Sequence, residues 1–305
     1  MTSLPGDRPL VSVGLPVYNA SRYLDECLDS ILAQSYGPFE VVLSDNASTD
    51  GTQAICERRA AADSRVRYQR VDRNRGLAWN HNRVRELARG AYFKWCGADD
   101  LMASRFLEAC VDALSGRPDA VLAYPLSVVI DDAGQTIDRT ADRLALDADD
   151  VGVRFATLLS SWRWTHNPFY GLMRASSLAE VRPISPYLAN DRTFLAELAI
   201  RGPFVRVEEF LMYRRRNANH ASHTDAAEVA YMAPERGGEF ATREWTVLRE
   251  HLRTVLRAPV RPAVRLRLLR VLSGWTLRER GALLGEARGY ARHLARRLGA
   301  RRSRP

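Results

Sequence analysis

The chain holds one lysine, Lys94, against 44 arginines. So strong a bias can be compositional, and arginine richness alone does not point to an anionic partner. Cysteine is scarce. Cys27, Cys56, Cys96 and Cys110 show no CxxC spacing, and all fall in or at the ends of predicted strands and helices. That is the usage of reduced residues in a cytosolic protein. Met1 to Pro9 contains no apolar run, so no signal peptide is expected. No stretch reaches the roughly 18 apolar residues of a membrane span. A GxxxxGK[ST] loop is missing, as is a GxGxxG turn after the first strand, which removes the two most familiar nucleotide fingerprints. There is no GxSxG elbow, no HExxH pair and no internal repeat.

What is present suits a globular protein. The 305 residues are 46% apolar and 27% charged, enough for one large or two modest domains. The net charge of +9 is unevenly placed. From Arg249 onward there are 16 arginines and 3 glutamates, a net of +13, and the preceding residues carry −4. The basic character belongs to a C-terminal tail, which lacks the interleaved aromatics of a nucleic-acid binder, so no nucleic-acid partner is expected.

Along the chain, Leu10–Leu15 reads as a strand that Pro16 stops. Leu24, Cys27, Leu28, Ile31 and Leu32 recur at helical spacing, with Ser21 as N-cap. Phe39–Leu43 is a second strand, ending in the turn cluster 44–51. A helix runs past Ile55, then a strand over Val66–Val71, a turn at 73–76 and a helix over about 78–88. Ala91–Cys96 is a fourth strand, and a helix over 104–114 follows. Strands alternate with helices four times, which predicts βαβ units. Val121–Ile130 is a strand interrupted by Pro125, with a turn at 131–135 and a hairpin return from Thr136. Residues 140–150 are acidic and irregular. Further elements are a helix at 153–159, a strand at 170–174, a short helix at 176–181, a helix opened by Asp191 and stopped by Gly202-Pro203, and a strand at 205–213. From about Asp225 only helices are expected, divided by Pro259 and Pro262. In the last of them Tyr290, Leu294 and Leu298 recur every four residues, with Arg288, Arg292 and Arg296 on the opposite face. Its preferred reading is a helix packed on the main domain with a solvated arginine face; the alternative is peripheral membrane contact.

The stretch Ala91–Asp100 carries the strongest chemical signal. It is a buried-strand run ending in two adjacent carboxylates. Such a pair is tolerated best in water or beside a cation, and strand carboxyl ends are where open α/β sheets bind ligands. A solvated turn leading into the next helix is the other reading. Polar clusters also follow the first and second strands. All of these lie on one edge of the sheet, which argues that Asp45 and Asp99 share a site.

Val13-Gly14-Leu15-Pro16-Val17-Tyr18-Asn19, then Leu43 to Thr52, then Gly76, Asn82 and Gly90, then Gly97-Ala98-Asp99-Asp100, resemble the successive motifs of the family 2 inverting glycosyltransferases with the GT-A fold. The resemblance covers about residues 10 to 222. It implies an α/β fold, a Rossmann-like mixed sheet with helices on both faces, followed by a C-terminal α-helical extension over 223–305. It also implies transfer of a sugar from a nucleotide-diphosphate donor to an acceptor hydroxyl. The donor-binding residues carried over are Pro16, Val17, Tyr18, Asn19, Asp45, Gly76, Asn82, Ala98 and Asp99, with Tyr18 stacking on the base and Asp45 reading its edge. Asp99 and Asp100 are the implied ligands of a divalent cation, Mn²⁺ or Mg²⁺, which prefers such oxygen donors. Many relatives carry a further Asp where this chain has Gly97, which leaves Asp99 as the main ligand. Arg75 and Arg214–Arg216 are candidates for neutralising phosphate.

Asn190-Asp191, opening a helix, resembles the family's acidic pair and makes Asp191 the general base; a helix N-cap is the structural alternative. Asn167–Arg174 resembles the acceptor-side segment, with Trp162, Trp164 and His166 just before it as an acceptor platform or as core packing. His166 and His220 read first as satisfied polar residues, with closure of His220 over the phosphates the alternative. Ser160-Ser161-Trp162-Arg163-Trp164 only echoes the Gln-x-x-Arg-Trp signature of processive members and precedes Asp191 instead of following it. Transfer of a single sugar is therefore expected, to a glycan, lipid-linked or small-molecule acceptor. The location expected is cytoplasmic. The rivals are a transferase that works without metal and a binder of nucleotide sugars that has lost the chemistry.

Overall fold

The computed structural model describes residues 8–140, 144–161, 166–216, 232, 234 and 242–302. Trp162, Trp164 and His220 lie outside them, as does the side chain of His166.

The first four strands are β1 (Val11–Val17), β2 (Phe39–Asp45), β3 (Val66–Arg70) and β4 (Tyr92–Trp95). They pair parallel in the order β3-β2-β1-β4. The connecting helices are α1 (Leu24–Leu32), α2 (Thr52–Ala62) and α3 (Leu77–Leu87). Every residue of β2 is buried, as expected of a strand covered on both faces. Beyond β4 the sheet becomes mixed. It adds β8 (Leu172–Arg174), antiparallel to β4, then β6 (Leu122–Ile130), β9 (Phe204–Arg215) and the two-residue β5 (Leu101–Met102). β7 (Thr136–Thr140) returns against β6 as the expected hairpin.

Two prolines behave differently from the sequence reading. Pro16 does not stop β1; it sits inside the strand, opposite Ser44. Neighbouring strand residues point their N–H groups to alternate sides. The Val17 carbonyl faces β2 and accepts from Asn46, so Pro16 faces the other side, where pairing with β4 has ended at Gly14–Trp95. Its missing donor is not needed there. Pro125 does not interrupt β6 but coincides with a register shift against β9, the local irregularity of a bulge. Nor is Ser21 a helix cap. The N-cap of α1 is Tyr23, and the Ser21 N–H donates to Asp50.

The remaining helices are α4 (Phe106–Gly116), α5 (Val151–Ser160), α6 (His166–Phe169), α7 (Ala175–Ala179) and α8 (Asn190–Arg201), then α9 (Arg243–Arg257), α10 (Pro262–Arg278) and α11 (Arg280–Arg302). The apolar interior has three parts. Two flank the sheet. The third joins Phe155, Leu159, Ala196 and Ile200 of α5 and α8 to Val247, Leu268 and Trp275 of α9 and α10. The C-terminal helices thus share a core with the sheet domain. The last of them departs from the packed helix expected, for Tyr290 and Leu294 stand exposed. No helix among the described residues is long and apolar enough to cross a membrane.

Candidate active site

Because β1, β2 and β4 run parallel, their carboxyl ends open on one edge. A cavity of about 490 Å³ lies there, in the size range of small-molecule sites. Its walls come mainly from five places. The end of β1 gives Pro16, Tyr18 and Asn19, and the β4 end gives Cys96, Gly97, Ala98 and Asp99. α3 gives Leu77 and His81, and the start of α8 gives Ala189, Asn190 and Asp191. Phe169 and Tyr170 close the side nearest α6. Asp99 and Asp191, far apart in sequence, therefore face one space.

The backbone is bent to make this edge. Asn19, Ala47 and Ala189 are the non-glycine residues with positive φ among those described. All three belong to the strand-end loops or the α8 entrance, where such conformations cluster in functional sites. Asn19 is held by its N–H to Ser48 Oγ at 3.0 Å, and its Oδ1 accepts from the Thr49 N–H at 2.8 Å. Ala189 caps α8 with φ 63°. Asp191 is consequently the second residue of the helix, not its cap. A carboxylate in the first turn is favoured by the helix dipole.

The paired aspartates are anchored from behind. Asp100 Oδ1 accepts the Arg215 N–H at 3.0 Å. Its carboxyl is pushed up by burial first and by the Asp99 charge second. It does not line the cavity, so of the two ligands expected only Asp99 opens onto it. A Cβ on Gly97 would stand 2.9 Å from Asp100 Oδ2 and 3.1 Å from Asp99 Oδ1. The space left by the missing side chain is thus filled by both carboxylates. Hard oxygen donors converging in this way fit Mg²⁺ or Mn²⁺, although no cluster of three metal-ligating side chains occurs among the described residues. Asp99 would be the protein's ligand at the cavity, with Asp100 adding charge behind it.

Arg215, one of the arginines considered for phosphate, is a buried clasp instead. Its guanidinium donates to the carbonyls of Asp99, Asp131 and Asp132, and to Glu26 Oε2 at 2.7 Å. Arg214 holds no hydrogen bond or ion pair among the described residues, and its charge acts on Asp100 and Tyr170. Arg75 stacks over Trp79 and does not line the cavity. Arg22, which the sequence did not single out, does line it.

Asp45, Asn82, Val17, Gly76 and Asp100 are the expected site residues that the structure keeps out of this cavity. Asp45 is fully buried; Oδ1 accepts the Ser48 N–H, and Oδ2 accepts from Tyr68 and Arg70. Asn82 pins the approach to α8, donating to the Ile184 carbonyl at 2.7 Å and accepting the Ile184 N–H at 2.8 Å. The Val17 side chain belongs to the core, while the residue also borders a small pocket of about 20 Å³ with Tyr18, Asn46 and Asn80. Gly76 caps α3 at φ 85°, where a Cβ would lie 2.4 Å from the Met232 carbonyl oxygen. Both facts demand glycine.

His81 was missed by sequence reasoning. Its Nδ1 bonds the Leu77 carbonyl at 3.0 Å, and burial pushes it down to about 4. It is a neutral ring in the cavity wall. Its one signal is helical spacing from Leu77, which carries no chemical meaning alone. Behind it Trp95 stacks on Phe169 at 5.2 Å and 4°. Burial, then the Asp100 and Asp99 charges, push the Tyr170 hydroxyl upward, so it stays protonated.

The family model described as Glycosyl transferase family 2 matches residues 12–169. This chain belongs to that family. Among its relatives, the putative teichuronic acid biosynthesis glycosyltransferase TuaG of Bacillus subtilis is 32% identical over 132 residues, 43% of this chain and 52% of TuaG. Glycosyltransferase GlyG of Streptococcus pneumoniae is 35% identical over 99 residues, 32% of this chain and 33% of GlyG. The chondroitin synthase of Escherichia coli is 33% identical over 129 residues, 42% of this chain and 19% of that enzyme. The chain thus spans about half or less of the length of these relatives. Among solved structures, S. aureus TarS 1-349 in complex with UDP-GlcNAc superposes with TM-score 0.64 at 17% identity, covering 87% of this chain and 72% of that one. The mannosyltransferase PcManGT from Pyrobaculum calidifontis, in complex with GDP-Man and Mn2+, gives 0.55 at 20% identity, covering 95% and 76%. The fold of this family 2 member is the GT-A fold.

Proposed function

We propose that this family 2 protein moves a single sugar from a nucleotide-diphosphate sugar to an acceptor hydroxyl, with inversion at the anomeric carbon. The observation that carries the reading is that Asp99 and Asp191 line one cavity. The acceptor oxygen attacks the anomeric carbon, the bond from that carbon to the diphosphate oxygen breaks, and the diphosphate leaves with the electron pair. The acceptor proton passes to the Asp191 carboxylate, a general base on the rigid first turn of α8. Tyr18, at the β1 end, offers a face for the donor's base. A divalent cation bound at Asp99 would supply Lewis-acid neutralisation of the leaving diphosphate. Arg22, paired with Asp132, and Arg214, whose charge acts on Asp100 and Tyr170, add positive charge near that place. UDP-GlcNAc in TarS and GDP-Man with Mn2+ in PcManGT support a nucleotide-sugar donor and a metal. The four free, buried thiols support a cytoplasmic setting.

The arginine lining gives a second reading, in which no metal is needed. A thermal-shift panel of nucleotide sugars with and without Mn²⁺ finds the donor, since a ligand of the folded state raises its stability. Asp191→Asn should keep the donor's shift and lower turnover by about 10² or more. Undiminished turnover in that variant removes the assignment. Turnover undiminished by EDTA selects the metal-independent reading. A donor shift without any sugar transfer or hydrolysis leaves a nucleotide-sugar binder.

A further inference from the structure

Ten large apolar side chains stand exposed among the described residues, and eight of them lie between Trp245 and Leu294. That same stretch carries 11 arginines against 3 glutamates. The two features share helix faces. On α9, Trp245, Leu252 and Leu256 fall at i, i+7 and i+11, one stripe of the helix, with Arg249 and Arg253 between them. All five are exposed. On α10, Leu266 and Leu277 are three turns apart with Arg270 between them. Leu277 is 65% exposed, the highest of the ten. The opposite faces of these helices, with Val247, Leu268 and Trp275, are spent on the shared core. The leucines outside are therefore not left over from packing.

We propose that the outer faces of α9 and α10 bind the surface of an anionic lipid bilayer. Leucine and tryptophan would enter the boundary between headgroups and acyl chains. Arginine stems would lie along them with guanidinium groups at the lipid phosphates. A polyanion such as RNA would use the arginines and leave the leucines in water. A second copy of the chain would bring like charge against like charge. Only an anionic bilayer satisfies both halves of the pattern. The contact lies on the membrane and does not cross it. It does not depend on the sugar-transfer reading, because none of these residues lines the cavity.

The test is vesicle co-sedimentation of the full chain. Phosphatidylcholine vesicles are compared with vesicles that also contain phosphatidylglycerol. The expected result is binding to the anionic vesicles alone. The quadruple variant Leu252→Ser, Leu256→Ser, Leu266→Ser, Leu277→Ser should bind them at least about tenfold more weakly with its melting temperature kept. The full chain is also run on a sizing column and against duplex RNA, and binding to RNA in preference to the anionic vesicles overturns the proposal. No sedimentation with anionic vesicles overturns the proposal. So does binding that the serine variant retains in full, which would be charge attraction alone. A dimer that the same variant dissociates also overturns it, and makes the face a self-interface.

Discussion

At the scale of the residue, the site depends on what is absent from position 97 and on who holds the neighbours. The nearest atoms to a Cβ there are carboxylate oxygens of Asp99 and Asp100, and Asp100 is buried with Oδ1 held by the Arg215 N–H. Gly97→Ala must push that carboxylate aside and should cost about 1–3 kcal/mol of stability. It displaces the carboxylates, and should lower turnover at least about tenfold, since misplacement by an ångström can cost up to about a hundredfold. Urea unfolding and steady-state rates on one preparation check both halves. Arg215 is the opposite case. It does not itself line the cavity, yet it ties the Asp99 carbonyl, the turn at Asp131-Asp132 and Glu26 of α1 together and lies 4.4 Å over the ring of Tyr23. Arg215→Met removes the four hydrogen bonds of a buried guanidinium to half-buried or exposed acceptors and should destabilise the fold by about 2 kcal/mol. A variant of unchanged unfolding midpoint would show the clasp to be idle. The conservative exchange to Lys should recover little, because one ammonium cannot span three directions.

At the scale of the element, α8 serves two masters. Its first turn presents Asp191 to the cavity and its later turns pack on α9. His251 of α9 sits in that second contact, edge-on to Phe155 at 6.0 Å and to Trp275 at 5.8 Å. Burial first, then the Arg192 and Arg182 charges, hold it down at about 3. The unfolded chain takes up this proton near 6.5, and the folded one resists it to about 3. Its share of stability is thus whole above 6.5 and declines as the pH falls from there, by up to about 1.4 kcal/mol per pH unit. His251→Phe should flatten the stability profile between pH 6 and 4 by about that slope. Urea titrations across the range measure it, and a slope equal to the parent's would refute the role. Little of this was legible beforehand. Asp191 and Gly202-Pro203 marked the ends of α8, but not that Ala196 and Ile200 would meet a separate core with α9 and α10.

At the scale of the whole molecule, the helices after residue 242 complete the sheet domain's packing. Removing everything from residue 242 onward uncovers Phe155, Leu159, Ala196 and Ile200, which now face α9 and α10. Such a truncated chain should be largely insoluble or melt well below the parent, because several fully buried side chains lose about 1.5–3 kcal/mol each. Ending the chain after Glu279 removes only α11, of which Leu283 is the buried apolar residue among those described, and should be tolerated. Soluble yield and melting temperature of the two truncations decide the matter. A sheet domain that melts normally without α9 and α10 would make them a separate unit.

The order of strands and helices, the burial of β2 and β4 and the gathering of polar loops at one edge followed from the sequence alone. Hydrophobic periodicity and turn chemistry are local, and parallel pairing then places the carboxyl ends of β1 to β4 on the same side. Asp99 was legible for that reason, whereas Asp191, on a helix, was legible only through its resemblance to the family's acidic pair. What each polar group does once there was decided by tertiary structure. Asp45, expected to read the donor's base, takes Ser48, Tyr68 and Arg70 as its partners here. Asn82 turns to the backbone of Ile184, and His81, which no pattern marked, reaches the wall. A hydrogen-bonding side chain takes whichever partner the fold brings within about 3 Å, and sequence spacing does not encode that distance between separate elements.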